Sequence, residues 1–164
     1  MPPGSGQGDI MTLDVSIIAK LARVGLTVMR PDADPPVVET PLFIPRVAAG
    51  LPAPADDTVD ECLDLNAHCM PNPAMNFLLR VSGQSMKDAG IHNGDILVVD
   101  RGIPAKSGHI MIAVLDGKLT VKRMTRTGQV VQLVPENPDY PAIIVHSGQD
   151  FRVWGVVTFV VHRV

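Results

Sequence analysis

The run His109-Ile110-Met111-Ile112-Ala113-Val114-Leu115-Asp116-Gly117-Lys118-Leu119-Thr120-Val121-Lys122-Arg123 decides the fold of this chain. Two aliphatic, β-branched segments flank Asp116-Gly117, a dipeptide that favours the backbone of a two-residue hairpin turn. The run therefore predicts two antiparallel strands, His109 to Leu115 and Lys118 to Arg123, joined by a tight turn.

Further strand-like segments lie on both sides of this hairpin, and glycine-containing turns separate them. They are Phe77 to Val81, Asp95 to Val99, Val130 to Val134, Ile143 to Val145 and Phe151 to Val161. Met86 to Ile91 suits one short helical turn, whereas Asp57 to Asn66 suits either a short helix or a strand. The pattern predicts a mostly β protein.

The amino-terminal part of the chain differs in composition from this β-rich part. Residues 1–10 are rich in proline and glycine, and Asp14 to Val24 has an apolar spacing that predicts a short helix. From Met29 to Pro54 proline recurs, and each proline removes a backbone donor and disfavours helix before it. This segment predicts an extended, flexible arm, although an ordinary linker has the same composition.

Composition and charge limit the function. The chain has 164 residues, of which 46% are hydrophobic and 19% charged, as in one globular unit with an appendage. A net charge of −3 disfavours direct binding to nucleic acid, which needs clustered lysine and arginine. Cys62 and Cys69 are too few for a disulfide framework, and no apolar stretch reaches the roughly 18 residues of a membrane span. We expect a cytoplasmic protein.

A serine and a lysine are the candidate catalytic residues. Ser85 lies in the turn-forming stretch Val81-Ser82-Gly83-Gln84-Ser85-Met86. A serine needs a neighbouring base to become a good nucleophile, and a neutral lysine can be that base if burial lowers its pKa. Lys122 lies 37 positions later, in a strand where Thr120 and Met124 share its face and no carboxylate is near. From these residues alone, a solvated lysine remains the alternative.

The order and spacing of several motifs strengthen the pairing of Ser85 with Lys122. The chain resembles the Ser-Lys self-cleaving family of LexA-like proteins (peptidase S24), and within it the UmuD-like group, over roughly residues 42 to 164. The motifs that carry the resemblance are Ser82-Gly83-Gln84-Ser85-Met86, Gly94-Asp95-Ile96-Leu97-Val98-Val99-Asp100, Asp116-Gly117-Lys118-Leu119-Thr120-Val121-Lys122-Arg123, Gly50-Leu51-Pro52-Ala53-Pro54-Ala55-Asp56-Asp57, Leu63-Asp64-Leu65-Asn66, Val134-Pro135-Glu136-Asn137-Pro138 and Gly155-Val156-Val157. Residues 1 to 41 fit the family less well.

The resemblance implies a fold, a site and a biological context. The fold would be the curled antiparallel sheets of the LexA/signal-peptidase-like domain, spanning residues 50–164 behind an arm of residues 1–49. Ser85 would be the nucleophile, Lys122 the general base and Ala49-Gly50 the bond cleaved, with the backbone N–H groups of Ser85 and Gln84 as the oxyanion hole.

The family also implies partners and a pathway. It implies an SOS-response protein that forms a homodimer, is stimulated by RecA filaments on single-stranded DNA, and after cleavage serves a UmuC-type Y-family DNA polymerase in translesion synthesis. Neither a cofactor nor a metal is expected, because Cys62, His68 and Cys69 lack a second ligand pair.

Three alternatives remain open from the sequence. A signal peptidase shares the Ser-Lys pair, but would need a membrane anchor. A LexA-like or phage-type repressor would need a helix-turn-helix with a basic recognition helix, and the arm here is proline-rich. A binding-only polymerase subunit could carry the same two residues without using them.

Overall fold

The computed structural model describes residues 19, 23, 27–43 and 59–164. The elements in these residues are β1 (Thr27–Met29), β2 (Thr40–Phe43), β3 (Val59–Leu63), α1 (Leu65–Cys69), β4 (Asn76–Arg80), a 3-10 helix (Lys87–Ala89), β5 (Ile96–Asp100), β6 (Ile110–Leu115), β7 (Lys118–Thr127), β8 (Val130–Val134), β9 (Ile143–Val145) and β10 (Phe151–Val161). The predicted mostly β class is confirmed. The helix expected at Asp14 to Val24 lies, apart from Ala19 and Arg23, outside the described residues.

Eight of the strands form one antiparallel sheet in the order β1-β4-β5-β10-β6-β7-β8-β9, while β2 and β3 form a separate pair. The predicted hairpin is the junction of β6 and β7, where Leu115 pairs with Lys118. Asp116 and Gly117 have φ values of 49° and 75°. Both lie in the left-handed region that a two-residue hairpin turn requires, which explains the Asp-Gly sequence.

The longest strand, β10, lies in the middle of the sheet and is bulged twice. Its first half pairs with β6 and its second half with β5, and the register shifts between Val153 and Gly155 and again between Val157 and Phe159. Bulges bend a strand and increase its twist, so they help the sheet to curl. At Gly155 an added Cβ would lie 2.5 Å from Cγ1 of Val99, so any larger residue would have to displace this side chain.

Both faces of the sheet bury apolar side chains. Successive side chains of β6 and β7 point to opposite faces, and the two sets belong to two different buried clusters. One buried cluster contains Phe77, Leu79, Val81, Met86, Ile91, Leu97, Val99, Ile112, Val114, Leu119, Val121 and Trp154. The other contains Met111, Ala113, Met124 and Leu133. None of the helices in the described residues has the length and apolarity to span a lipid bilayer.

The described part of the amino-terminal segment, expected to be an extended and flexible arm, contains two short strands, and both are hydrogen-bonded to other strands. Strand β1 pairs with β4 at the edge of the large sheet, with Val28 opposite Leu79. Strand β2 pairs with β3, and the connection between them, residues 44–58, lies outside the described residues. Between Asp57 and Asn66, where the sequence allowed a helix or a strand, β3 is followed directly by α1.

Candidate active site

Ser85 lies in the loop between β4 and β5, and the ends of this loop continue the ladder of the two strands. The Val81 backbone N–H donates to the Asp95 carbonyl at 2.8 Å, and the Gly94 N–H donates to the Val81 carbonyl at 2.9 Å. Gly83 has a φ of 107°, a conformation that side-chain-bearing residues rarely adopt. The chain can therefore turn sharply two residues before Ser85.

Buried side chains hold the loop against the core on the far side of Ser85. Met86 and Ile91 are 2% and 1% exposed and belong to the larger apolar cluster. The backbone N–H of Ala89 and that of Ile91 both donate to the Met86 carbonyl, at 3.1 and 3.2 Å. This is the short helical turn predicted from the sequence.

The turn between β8 and β9 also holds the loop that carries Ser85, through hydrogen bonds to its backbone. The Asn137 side chain is buried, and its Nδ2 donates to the Gln84 carbonyl at 2.8 Å. The Glu136 backbone N–H donates to the Ser85 carbonyl at 2.9 Å, and the Glu136 carbonyl accepts from the Asp88 N–H at 2.8 Å. Sequence reasoning gave Asn137 no role, and the one signal was its position between two prolines in a motif shared with the family.

Lys122 lies in the interior of β7, directly opposite Met111 of β6. Only 7% of the residue is exposed, and the burial lowers the pKa of Lys122 below its ordinary value. Among the described residues it forms no ion pair, so no carboxylate holds the positive charge in place. The dehydration expected for this lysine is therefore present.

Nζ of Lys122 lies 3.0 Å from Oγ of Ser85. The two residues belong to elements that are far apart in the order of the sheet, since β5, β10 and β6 lie between β4 and β7. Ser85 lies between β4 and β5, so three to four steps at about 4.8 Å per strand would separate it from β7 by roughly 14–19 Å in a flat sheet. The bulged sheet and the loop over it remove that separation.

The amine of Lys122 has two further hydrogen-bond partners. Nζ donates to Oγ1 of Thr120 at 2.9 Å and to the Val121 carbonyl at 2.9 Å. An ammonium has three donors and so can serve all three neighbours. After losing one proton, the amine can keep both of these bonds and direct its lone pair at the Ser85 hydroxyl.

A cavity of about 210 Å³ adjoins Ser85. It is lined by Val81, Ser82, Gly83, Ser85, Met86, Ile91, Leu119, Thr120 and Val121. Polar and apolar groups contribute about equally to the lining, and Ser85 is one of the lining residues. The cavity therefore has room for a small side chain next to a bond presented to Ser85.

Other residues singled out from the sequence lie elsewhere. The cleavage-site residues Ala49 and Gly50 are outside the described residues. Cys62 is exposed, Cys69 is half-buried, and the ring of His68 contacts the ring of Phe159 in a tilted arrangement with centroids 5.4 Å apart.

Comparison with known proteins shows which family the chain is similar to. The family model described as Peptidase S24-like matches residues 41–158. Protein SamA of Salmonella typhimurium is 41% identical over 138 residues, which cover 84% of this chain and 96% of SamA. Protein ImpA of Escherichia coli is 44% identical over 124 residues, covering 75% of this chain and 83% of ImpA.

A repressor is also among the relatives. The LexA repressor of Paracidovorax citrulli is 42% identical over 114 residues, which cover 70% of this chain and 50% of the repressor. The LexA-like resemblance predicted from the motifs is thereby confirmed. With most of its length matched by the family model and by SamA, this chain belongs to the peptidase S24-like family.

Proposed function

We propose that this chain is a self-cleaving serine peptidase that cuts its own Ala49-Gly50 bond, with Ser85 as the nucleophile and Lys122 as the general base. The observation that carries the proposal is the 3.0 Å distance between Nζ of Lys122 and Oγ of Ser85. Burial of the lysine without a neighbouring carboxylate supports it, because a base must be neutral when it accepts a proton.

The reaction proceeds by acyl transfer. The neutral amine of Lys122 accepts the hydroxyl proton of Ser85 as Oγ attacks the carbonyl carbon of Ala49. When the tetrahedral intermediate collapses, the C–N bond breaks and the Lys122 ammonium gives its proton to the departing amine of Gly50. Water, deprotonated by the same lysine, then hydrolyses the ester between Ala49 and Ser85.

The backbone N–H groups of Gln84 and Ser85 form the oxyanion hole in this proposal. Among the described residues, neither N–H donates to a protein acceptor, so both are free to bind a developing negative charge. The carbonyl groups of the same two residues are tied to Asn137 and Glu136. Fixed donors of this kind stabilise a tetrahedral intermediate without reorganising during the reaction.

The substrate bond lies in the connection of a hairpin. Phe43 of β2 pairs with Val59 of β3, so the two ends of segment 44–58 are held side by side. Ala49 is six residues beyond Phe43 and can reach roughly 20 Å from it when extended. Alanine and glycine at the bond give the nucleophile close access and suit the small cavity beside Ser85.

Membership of the family supports the biological part of the proposal. Residues 1–49 are the arm removed by cleavage, and residues 50–164 are the peptidase and dimerisation domain. The protein acts in the cytoplasm as a homodimer, and RecA filaments on single-stranded DNA stimulate its cleavage. The processed form assists a UmuC-type Y-family DNA polymerase in error-prone translesion synthesis during the SOS response.

Intact mass spectrometry of the purified chain tests the chemistry. Incubation at alkaline pH should convert the chain to a fragment that begins at Gly50, and Ser85→Ala or Lys122→Ala should abolish the conversion. Ser147→Ala and Lys118→Ala are matched controls, since Ser147 is an exposed serine in the turn between β9 and β10 and Lys118 is an exposed lysine of the same strand as Lys122. Formation of the fragment by the Ser85→Ala protein would contradict the proposed pair.

The partners need separate measurements. RecA assembled on single-stranded DNA should accelerate cleavage of the parent chain and have no effect on Ser85→Ala. A UmuC-type polymerase should co-purify with residues 50–164 more strongly than with the intact chain, and failure of both forms to bind would contradict the accessory role.

A LexA-like transcription regulator is the second candidate, because a LexA repressor is among the relatives. Sequence-specific binding of the intact chain to operator DNA, lost on cleavage, would favour this candidate. The net charge of −3 argues against it.

A further inference from the structure

Two histidines and an aspartate converge at one end of the large sheet, outside the candidate active site. Strands β5 and β10 are antiparallel neighbours whose last pair is Ile96 with Val161. Asp95 directly precedes the first of these residues and His162 directly follows the second. The register of the two strands therefore brings residues 67 positions apart to the same point.

The contacts within this group are short. Nδ1 of His162 lies 2.6 Å from one carboxylate oxygen of Asp95, and Nδ1 of His92 lies 3.7 Å from the other. The two imidazole rings have centroids 5.1 Å apart. In the part of the chain that the structure describes, this is the one trio of His, Cys, Asp or Glu whose ligand atoms all lie within 4.8 Å of one another.

The three donors suit a first-row divalent metal. Zinc binds imidazole nitrogen at about 2.0–2.1 Å and carboxylate oxygen at about 2.0–2.2 Å, so tetrahedral ligands lie roughly 3.3–3.5 Å apart. The separations of 2.6 and 3.7 Å, which join the two imidazole nitrogens to different oxygens of the carboxylate, lie on either side of this value. All three ligand atoms lie within 4.8 Å of one another, so binding requires the two half-exposed imidazole rings to rotate toward one carboxylate oxygen.

The carboxylate of Asp95 is fixed in place before any metal arrives. Its side chain is 4% exposed, and one oxygen accepts a 2.7 Å hydrogen bond from the His92 backbone N–H. Its carbonyl accepts from the Val81 N–H. Hydrogen bonds that orient a ligand in this way raise metal affinity, because the ligand does not have to be ordered on binding.

We propose that His92, Asp95 and His162 bind Zn²⁺ through two imidazole nitrogens and one carboxylate oxygen, with water in the fourth position. This site does not include Cys62, His68 or Cys69, the candidate ligands considered from the sequence. The expectation of a protein without a metal is based on those three residues and does not consider His92, Asp95 or His162.

Two of the three proposed ligands, His92 and Asp95, belong to the same β4–β5 loop as Ser85. Asn93 Oδ1 accepts from the Gly83 N–H at 3.0 Å, and Gly94 and Asp95 bond Val81 from the same side. Metal binding at His92 and Asp95 should therefore raise the thermal stability of this loop, whether or not Ser85 is catalytic.

Titration of the full chain with Zn²⁺ and with Co²⁺ tests the proposal. The protein should carry Ser85→Ala, so that binding is measured without cleavage, and no histidine tag. We expect saturable binding of one ion per chain, a rise in Tm with Zn²⁺, and a visible Co²⁺ absorption band typical of nitrogen and oxygen ligands.

Glutamine variants separate metal binding from folding. His162→Gln can still donate to Asp95, and His92→Gln keeps its backbone bond, but neither retains the imidazole ligand. Each should weaken Zn²⁺ binding by about 100-fold or more, because losing an outer-shell partner alone costs roughly 10- to 100-fold.

Two controls complete the experiment. His146→Ala removes an exposed histidine elsewhere, and the double variant Cys62→Ser with Cys69→Ser removes both thiols; binding should be unchanged in both. Absence of saturable binding, equal affinity in the glutamine variants, or loss of binding in the cysteine variant would overturn the proposal. If Asp95 serves only as an ion-pair partner of the two histidines, no saturable binding will be seen.

Discussion

Asn137→Asp should loosen the loop that carries Ser85. Nδ2 of Asn137 donates to the Gln84 carbonyl at 2.8 Å, and Oδ1 accepts from the Asp139 backbone N–H at 3.0 Å. Aspartate keeps the acceptor but loses the donor, and it puts a carboxylate oxygen against the Gln84 carbonyl. The change therefore removes one hydrogen bond at a site that is 4% exposed and leaves the local turn intact.

The magnitude follows from that burial. The lost hydrogen bond to the Gln84 carbonyl contributes about 0.5–1.5 kcal/mol. The new carboxylate oxygen, buried there without a donor, costs about 1–3 kcal/mol. We expect a total loss of about 2–4 kcal/mol in the free energy of unfolding. For a chain of this size each kcal/mol lowers Tm by about 2–4 °C, so Tm should fall by about 4–16 °C.

Asn93→Asp is the matched control on the opposite side of the same loop. Oδ1 of Asn93 accepts from the Gly83 N–H at 3.0 Å, and aspartate keeps this acceptor. Replacing this asparagine with aspartate should therefore lower the free energy of unfolding by no more than about 0.5 kcal/mol. Thermal unfolding of both variants, each combined with Ser85→Ala, measures the difference.

Self-cleavage is the second measurement of the same pair of variants. With Ser85 restored, and at a temperature where both proteins are folded, Asn137→Asp should cleave about 10- to 100-fold more slowly than Asn93→Asp, because the nucleophile is displaced. Equal Tm values and equal rates in the two variants would refute the positioning role of Asn137.

Four further predictions concern Lys122, its neighbour Thr120 and the bulge in β10. Because burial lowers the pKa of Lys122, the self-cleavage rate should rise with pH and level off below the ordinary lysine value of 10.5. Between the lowered pKa of Lys122 and 10.5, the unfolded chain binds more protons than the folded chain, so the free energy of unfolding should rise with pH. Denaturant unfolding of the Ser85→Ala protein at several pH values measures this rise. Adding Lys122→Met should remove it. Thr120→Val removes an acceptor of the ammonium, so the rate plateau should fall about tenfold and its inflection should move to lower pH, whereas Thr120→Ser should match the parent. Gly155→Ala should cost about 1–3 kcal/mol by overpacking, and adding Val99→Ala should cost less than the sum of the two single changes if the Val99 contact is the cause.

Local patterns were sufficient to predict most of the fold. The Asp116-Gly117 turn and the alternation of apolar residues predict the β6–β7 hairpin, because neighbouring residues determine both. Strand β7 continues to Thr127, beyond the predicted end at Arg123, because Arg123 to Thr127 pair with β8. The polar residues at that end do not reveal a partner strand that comes later in the chain.

The candidate site could be predicted only in part. The resemblance brought Ser85 and Lys122 together, but their contact depends on a curled sheet whose order is not readable from the sequence. Asn137 holds the Gln84 carbonyl across 53 positions, and Asp95 meets His162 across 67. Contacts between such distant positions follow from strand register and bulges, so local composition carries no signal for them.

The edge strand β1 has a consequence for what the proposed cleavage would produce. Thr27–Met29 belong to the segment that would be cut from the rest of the chain, yet they form the outermost strand of the large sheet, beside β4. Once this segment dissociates, Asn76–Arg80 becomes the border of the sheet, with backbone N–H and C=O groups that can pair with an added strand. A single break in the backbone would then expose a surface for β-strand addition that the uncut chain covers with its own residues.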